Sequence, residues 1–535
     1  VKRRMPVRYL FKLLTVTMIF LLAAANLAAA APSQAEEHSY LVGLKPGVSA
    51  KVLDAPGVKV SKHWDSLEAV HIKATPSAIQ ELKKNANIDY IEEDRLVHAS
   101  GTGQTFSDGA LTWGLQAIHA DQAWSQNATG TNFKVCILDT GIDYAHLEFT
   151  RNGVSIIKAS QNFVEDGHPD ARDGDGHGTH VAGTIAGQTN GSGSRIGVAP
   201  NVDLYIARVL DDEGTGTTSS VINGLNWCQA NKANVANLSL GSDTPSKTEQ
   251  RAFDLTYKQG MLSIAASGND GASIGYPANY KSVVAVGAVD SGLKLASFSN
   301  FGKDQELAAP GVSVLSSVPL GTGTRSTLTE LENGVQSTYP SSTVEFSGLG
   351  AFSGPLVNCG LADSATSCSS KPKSGAWIAV IDRGSISFGE KAQSVMSQGA
   401  SAAIIVNNDT ISPDDPGSFT LGSEGNWIPA VSVSYNSGTL MQKNGLGMGS
   451  VNITSWDYSY YQGTSMATPH VTAVAALAWS ANPLLTNDQI RTVLQNSALD
   501  LGDAGRDGLY GYGLVQADAA VRLAKATNPV KQHVH

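Results

Sequence analysis

The distribution of apolar and polar positions divides the chain into stretches of different character. Lys2, Arg3 and Arg4 precede a continuous apolar run from Leu13 to Leu22, which passes into Ala-rich sequence. A basic head, an apolar centre and small closing residues predict a secretory signal over residues 1–35, cut after Ala31 or Ala35. A membrane anchor is the rival reading, and the small residues favour a peptidase over a stop-transfer. Tyr40-Leu-Val-Gly-Leu-Lys-Pro-Gly47 then reads as a strand closed by a Pro-Gly turn, and Val70–Lys73 as a second. Ser77–Asn85, with Ile79 and Leu82 apolar, reads as a short helix, and Ile88–Asp94 completes a small α+β unit. From Lys134 the pattern changes. Val135–Leu138 is a continuous apolar run of the kind buried in a parallel sheet, ending at Asp139 and a Thr-Gly turn. Small-residue helices open near His177 and again after Ser465. Between them lie apolar strands at Ala376–Ile381, Ala402–Val406 and Ile428–Val433. An amphipathic helix over Phe388–Gln398 presents Phe388, Ala392, Val395 and Met396. No stretch after the first is long and apolar enough to span a bilayer.

Composition narrows the class. A chain of 535 residues predicts three or four units. With 41% hydrophobic and 16% charged residues it is neither a disordered polyelectrolyte nor a multispanning membrane protein. A formal charge of −10 argues against a nucleic-acid partner, which needs excess Lys and Arg. Four cysteines are too few for a disulfide scaffold. Residues 1–100 hold 13 of the Lys and Arg and 10 of the Asp and Glu, leaving 24 against 37 beyond them. The later part is therefore the more acidic, and acidic loops suit calcium.

Three motifs carry chemistry, and each has a bland rival. Asp139 closes a strand at the sheet edge where α/β folds place their sites, yet an acid there can be structural. His177 and His180 fall at i and i+3 on one helical face, which raises zinc. A zincin needs Glu after the first His and the second at i+4, whereas Gly178 stands in the Glu place. Ser465, in Gly463-Thr-Ser-Met-Ala-Thr-Pro469, opens a helix whose dipole favours developing negative charge; alone, Thr464 or Ser465 could be an N-cap.

Taken together, Asp139-Thr-Gly141, His177-Gly-Thr-His-Val-Ala-Gly183 and Gly463–Pro469 resemble the motifs of the subtilisin-like serine proteases (subtilases). Ile196–Pro200, Asn237–Gly241, Ala265–Asn269 and Ala309–Gly311 agree with the same family. The Asp, His, Ser order is that of the subtilisin triad. The resemblance implies a doubly wound, mainly parallel α/β fold. It makes Asp139, His177 and Ser465 catalytic and Asn269 an oxyanion donor, with His180 a packed helix residue. It implies substrate strands at Ser239-Leu240-Gly241 and Gly214-Thr-Gly216. It also implies a P1 pocket of Ala265, Ala266, Ser267, Gly268 and Gly275 with nothing charged at its floor, hence a preference for large apolar or aromatic P1 residues. Asp211, Asp212 and Glu213 fall near the cleft rim or are solvated surface acids.

Residues 36–100 resemble an inhibitory propeptide, with Tyr90–Asp94 and Val97-His98-Ala99 closing it and cleavage near Ser100/Gly101. Residues 318–455, with Asp382-Arg383-Gly384, Phe388-Gly-Glu-Lys391 and Gly399-Ala400, resemble a protease-associated (PA) domain of α/β type, a lid or recruiting module. Its rival is a tolerated loop insertion. The catalytic domain is then split into 101–317 and 456–527, with 528–535 a C-terminal tail. Cys359 and Cys368 are expected to pair. Cys136 and Cys228 could pair or stay buried thiols. The resemblance places calcium at Glu148, Gln188 and Asn190, with Glu148 standing where a shorter Asp is usual. Asp166, Asp170, Asp173 and Asp175 form a weaker candidate and Glu306 a third; no catalytic cofactor is expected. The reading is a secreted, extracellular, monomeric, autoprocessing serine endopeptidase of broad specificity, acting on polypeptides, held inactive by its own propeptide, without nucleic-acid or stable membrane association. A narrow processing protease and an inactive PA-based binding protein are the alternatives.

Overall fold

A computed structural model describes residues 37–99, 102–104, 112–190, 195–410, 413–417 and 419–530. The expected signal, the Ser100/Gly101 cleavage region and the last five residues lie outside them. The chain divides into two units, 1–93 and 94–535.

In the first unit, β1 (His38–Leu44), β2 (Val58–Trp64), β3 (Ala69–Ala74) and β4 (Ile88–Glu93) form an antiparallel sheet in the order β2-β3-β1-β4. Helix α1 (Pro76–Leu82) starts with Thr75, whose hydroxyl accepts the Ala78 N–H, and with Pro at its first position. Val42, Leu44, Val70, Ile72, Ile79 and Leu82 bury together as its small core. β1, β3, β4 and α1 lie within a few residues of where the pattern predicts them, and β2 was not foreseen.

The second unit begins with β5 (Leu96–Ala99). Its framework comprises β6 (Lys134–Asp139), β7 (Ile157–Asn162), α2 (His177–Ala186), β8 (Asp203–Arg208), β9 (Thr215–Thr217), α3 (Thr218–Ala230), β10 (Val235–Leu238) and β11 (Leu240–Gly241). It continues through β12 (Leu262–Ala266), β13 (Val283–Val289) and β14 (Leu307–Pro310). Seven of these strands make one parallel sheet in the order β7-β8-β6-β10-β12-β13-β14. β10, β12 and β13 are buried along their whole length, as a sheet covered on both faces requires. The chain starts at β6, winds to one side through β7 and β8, then to the other through β10. The end of β6 is therefore the switch point where such sheets open a crevice.

The third part is the insertion. It contains β15 (Gly323–Glu332), β16 (Val335–Tyr339), β17 (Ser341–Thr343), β18 (Gly350–Asn358), β19 (Ile378–Asp382), α4 (Phe388–Ser397), β20 (Ala402–Val406), β21 (Ala430–Val433), α5 (Tyr435–Asn444) and β22 (Met448–Trp456). They form a mixed sheet in the order β16-β15-β22-β18-β19-β20-β21-β17, with β18 to β21 parallel. Ser387 and Glu390 make a capping box at the start of α4. Trp377, Ile381, Val395 and Ile405 pack on one side and Leu328, Ile378, Ile404 and Ile453 on the other. The two roots of the insertion, Val314–Ser317 and Tyr458–Gln462, pair antiparallel. Its ends are thus held side by side, so a long excursion costs the catalytic sheet no register.

Helix α6 (Thr464–Ala481) then runs through the core, buried from Thr464 to Trp479. Its Ala, Val and Thr side chains are small all round, which lets it approach α2 and five strands of the parallel sheet. Cys359 pairs with Cys368 as expected, and Cys136 on β6 pairs with Cys228 on α3, which the sequence left open.

Candidate active site

Asp139 is buried at the end of β6. Its Oδ1 accepts the Thr140 N–H at 2.8 Å and faces His177 Nδ1 at 2.7 Å. His177 is the first residue of α2 and is also buried. Burial alone would lower its pKa, but Asp139, with Asp175 and Asp173 further off, outweighs that and raises it to about 9. The other ring nitrogen, Nε2, is buried without a hydrogen-bond partner. An imidazole held on one side by a carboxylate and bare on the other is an acceptor awaiting a proton.

Ser465 is the second residue of α6, so its backbone N–H has no partner within the helix. Its hydroxyl donates to the Ser239 carbonyl at 2.9 Å, while the Ser239 hydroxyl donates to the Ser465 carbonyl at 2.7 Å. Pro469 explains half of that exchange. Four residues after Ser465, it has no N–H to give to the Ser465 carbonyl, and Ser239 supplies the missing donor. Asn269 is oriented from its oxygen side: Oδ1 accepts the Thr464 N–H at 2.8 Å and the Thr464 hydroxyl at 2.9 Å. That leaves Nδ2 for the cleft, which Asn269 lines.

The cleft has a volume of about 740 Å³. Leu240, Gly241, Ser267, Gly268 and Gly275 line it as predicted. Of the two alanines expected there, which both end β12, Ala266 lines the wall and Ala265 does not. Ser239 is buried beneath Ser465 and acts through its two hydrogen bonds. Gly214 precedes the neighbouring strand β9 and Gly216 lies within it. Three features went unseen in the sequence. Asp243 and Asp270 add carboxylates to the cleft lining. Thr464 positions Asn269. Asn300 accepts the N–H groups of Asp270 and Ala272 at 2.9 and 3.0 Å, holding the loop after Asn269 from behind. A lone Asn in Ser299-Asn-Phe-Gly302 carried no signal for this.

Between the two strands expected to hold substrate lies a segment of the chain itself. β5 pairs antiparallel with β9 on one side, Val97 opposite Gly216, and with β11 on the other, His98 opposite Gly241. The Ala99 N–H donates to the Gly214 carbonyl at 2.8 Å. Just upstream, the Asp94 carboxylate accepts both the N–H and hydroxyl of Ser219 at the start of α3.

His180 is no ligand in waiting. Its Nε2 faces the carbonyls of Val314 and Ser459 at 2.9 and 3.1 Å, its ring stacks on Tyr461, and burial lowers its pKa to about 3. Among the described residues no three His, Cys, Asp or Glu side chains converge as a metal site. Of the expected calcium groups, Glu148, Gln188 and Asn190 do come together. The Gln188 N–H donates to the Glu148 carbonyl at 3.0 Å, and Asn190 Nδ2 donates to the carbonyls of Leu147 and Thr150. Gln188 Nε2 donates to those of Ala186 and Pro200. Burial pushes the Glu148 carboxyl up to about 7; the Arg195 N–H serves one oxygen and Oε2 has none. An orphaned carboxylate oxygen among carbonyls fits a hard cation. The weaker groups do not converge. Asp173 is fully engaged by Thr140, Gly176 and Thr179, and Asp175 accepts the His177 N–H. Asp170 accepts the Arg172 N–H at the surface, and Asp166 pairs with Arg208. Glu306 is bound by Arg491 and Gln495.

A parallel sheet with a buried carboxylate and imidazole paired at its switch point, and a buried serine held against the end of the neighbouring strand, fits a serine hydrolase of the α/β class. The family model described as "Subtilase family" matches residues 130–348 and 369–513. Subtilisin NAT of Bacillus subtilis subsp. natto is 38% identical over 58% of this chain and 81% of its own length. M-protease of Shouchella clausii (strain KSM-K16) is 31% identical over 87% of this chain and 82% of its own. The crystal structure of the psychrophilic subtilisin-like protease Apa1, from the Antarctic psychrotroph Pseudoalteromonas sp. AS-11, matches with a TM-score of 0.57 and 31% identity, covering 77% of this chain and 98% of that one. The chain belongs to the subtilase family and is a serine endopeptidase of that family.

Proposed function

We propose that this protein is a secreted, autoprocessing endopeptidase of broad specificity, made with an inhibitory propeptide over residues 36–100. The observation that carries the reading is β5. A segment of the chain lies extended between the two strands that would hold substrate, and main-chain pairing of this kind is how an extended peptide is gripped without regard to sequence. Cleavage near Ser100/Gly101 would follow directly from that placement. The test is N-terminal sequencing of exported protein from wild type and Ser465→Ala. Maturation of Ser465→Ala at the same bond in a protease-free host would sink autoprocessing.

The chemistry follows from the geometry. Ser465 Oγ turns from the Ser239 carbonyl to His177 Nε2, gives up its proton and attacks the scissile carbonyl. Asn269 Nδ2 and the Ser465 N–H receive the oxyanion, and His177 returns the proton to the leaving amine while Asp139 stabilises the imidazolium. Small residues along Ala266–Gly268 and at Gly275 leave room for a large apolar or aromatic P1 side chain. A peptide library with strict Arg or Lys preference there would shift the reading to Asp243 and Asp270.

The insertion acts as a PA domain, a lid or recruiting module beside the cleft. Excising it should spare hydrolysis of short peptides and slow cleavage of large proteins; unchanged cleavage of both makes it a tolerated loop. Glu148, Gln188 and Asn190, with the Leu147 and Thr150 carbonyls, would hold calcium. Bound calcium would compensate the buried Glu148 charge and stiffen the loop after α2. Faster thermal inactivation in chelator is expected, and insensitivity would count against the site. The mature enzyme acts as a monomer, which sedimentation would check.

A further inference from the structure

Three stretches that leave the carboxyl edge of the parallel sheet lead to Asp139, His177 and strand β9. These are the Asp139-Thr140 turn after β6, residues 163–176 leading to His177, and residues 209–214 leading to β9. One side chain touches all three. Arg208 ends β8 directly beside Asp139, its register partner on β6, and its side chain is wholly buried. Its Nε donates to the Thr140 carbonyl at 3.1 Å. Nη1 donates to Asn162 Oδ1 at 3.3 Å and to Asp166, and Nη2 donates to Asp212 Oδ1 at 2.7 Å. A guanidinium is a rigid fork of five donors, and this one is spread across three loops rather than spent on one partner.

Each contact lies one step from a working group. The Thr140 N–H donates to Asp139 Oδ1, and its hydroxyl accepts the Gly178 N–H at 2.8 Å beside His177. Asp166 accepts from the His168 N–H and from Asn162 Nδ2, both at 3.1 Å, which folds the loop that delivers His177. Asp212 lies flat on the backbone of Gly174, where a Cβ would fall 2.3 Å from the Asp212 Cγ. Its neighbour Asp211 accepts the Thr215 N–H at 2.7 Å, at the first residue of β9. A buried cation is tolerable only with its counter-charges in place, so the loops carrying Asp166 and Asp212 are drawn to Arg208.

We propose that Arg208 is a positioning residue of the catalytic centre, locking the Asp139 turn, the loop that presents His177 and the loop that starts substrate strand β9 into one arrangement. This deepens the endopeptidase reading and rests on it.

The test compares Arg208→Met, Arg208→Lys, Asp166→Asn and Asp212→Asn with wild type. Competent sites are counted with a fluorophosphonate, so that every rate is per reactive Ser465. Two substrates are used, a tetrapeptide amide that reaches β9 and a single-residue ester that does not. Arg208→Met should lower kcat/KM for the tetrapeptide about a hundredfold, the scale of an ångström misplacement. Arg208→Lys, keeping the charge without the fork, should recover to within about tenfold of wild type. Asp212→Asn should raise KM about fivefold for the tetrapeptide and leave the ester unchanged, whereas Asp166→Asn should lower kcat on both at constant KM. Should Arg208→Met fail to mature, the two Asn variants carry the test, since Asp166 and Asp212 are partly exposed. The proposal is overturned if Arg208→Met lowers only the melting temperature or the number of titratable sites, with per-site rates unchanged. It is equally overturned if both Asn variants affect the two substrates alike. A wild type with no titratable serine would instead sink the endopeptidase reading itself.

Discussion

Among the described residues two sheets contain parallel strands, and only one carries the Asp139, His177 and Ser465 motifs. Both carry polar side chains where strands end. In the insertion, Asp382 at the end of β19 accepts from Gln442 at 3.1 Å, and Asn407 just past β20 accepts from Arg383 at 2.9 Å. These groups satisfy one another. At the ends of the seven-stranded sheet, Asp139 and His177 bind each other yet leave Asp139 Oδ2 and His177 Nε2 buried and unpartnered. Burying a polar atom without a partner costs on the order of 1–3 kcal/mol, so a fold keeps such atoms only where something else compensates or uses them. The contrast locates reactivity in what a site leaves undone.

The most severe way to break this contrast is Ser465→Ala, expected to cut kcat by roughly a millionfold, the scale known for removing the nucleophile of subtilisin. Asp382→Asn in the insertion should leave kcat per titrated site unchanged; a comparable loss there would erase the distinction. Asp139→Asn comes next, with a loss of about ten-thousandfold in kcat from the wrong imidazole tautomer. It should also move the pH profile. Because His177 must be neutral to act as base and Asp139 raises its pKa to about 9, wild-type kcat/KM should climb through the alkaline range. Without the carboxylate charge that limb moves to lower pH, and a limb that stays put would contradict the assigned coupling.

Smaller effects sharpen the picture. Asn269→Ala should cost about a hundred- to a thousandfold in kcat, ~3–4 kcal/mol, with little change in KM. Thr464→Val, which loosens the Asn269 amide while sparing Nδ2, should cost about tenfold, the lower end for a group acting through another. The disulfides rank last for activity and separate the sheets by stability. Replacing Cys136 and Cys228 by Ala, opening a loop with a separation of 92 residues, should lower the stability of the catalytic sheet by ~4 kcal/mol. The same change at Cys359 and Cys368, separated by 9, should cost ~2–3 kcal/mol and be seen only in melting of the insertion.

Much of the site was legible because its motifs are local. Asp139 at a strand end, His177 opening a helix of small residues and Ser465 ahead of Pro469 each announce their backbone setting. Three strands and one helix of the insertion, β19, β20, β21 and α4, were equally plain from periodicity, within two residues at each end, whereas β15 to β18, β22 and α5 were not foreseen. Ala265 was counted with Ala266 on the cleft wall, because side chains on a strand alternate and the motif does not say which face is which. The acids before His177 looked like a cation site because spacing shows only that carboxylates are near in sequence. Arg208, which takes Asp166 and Asp212, comes from a different strand.

The amino-acid sequence by itself determined the small leading unit and the interruption between β14 and Ser465 through short-range pattern, and the class of chemistry and the doubly wound core through motifs that resemble those of a known family. Only the tertiary structure decided that Cys136 meets Cys228, that Ser239 and Ser465 exchange hydrogen bonds, that Thr464 and Asn300 hold Asn269 and the loop after it, and that one guanidinium ties three loops. Those are pairings between segments far apart along the chain. They depend on which strand ends the sheet order brings together, and no local pattern encodes that order.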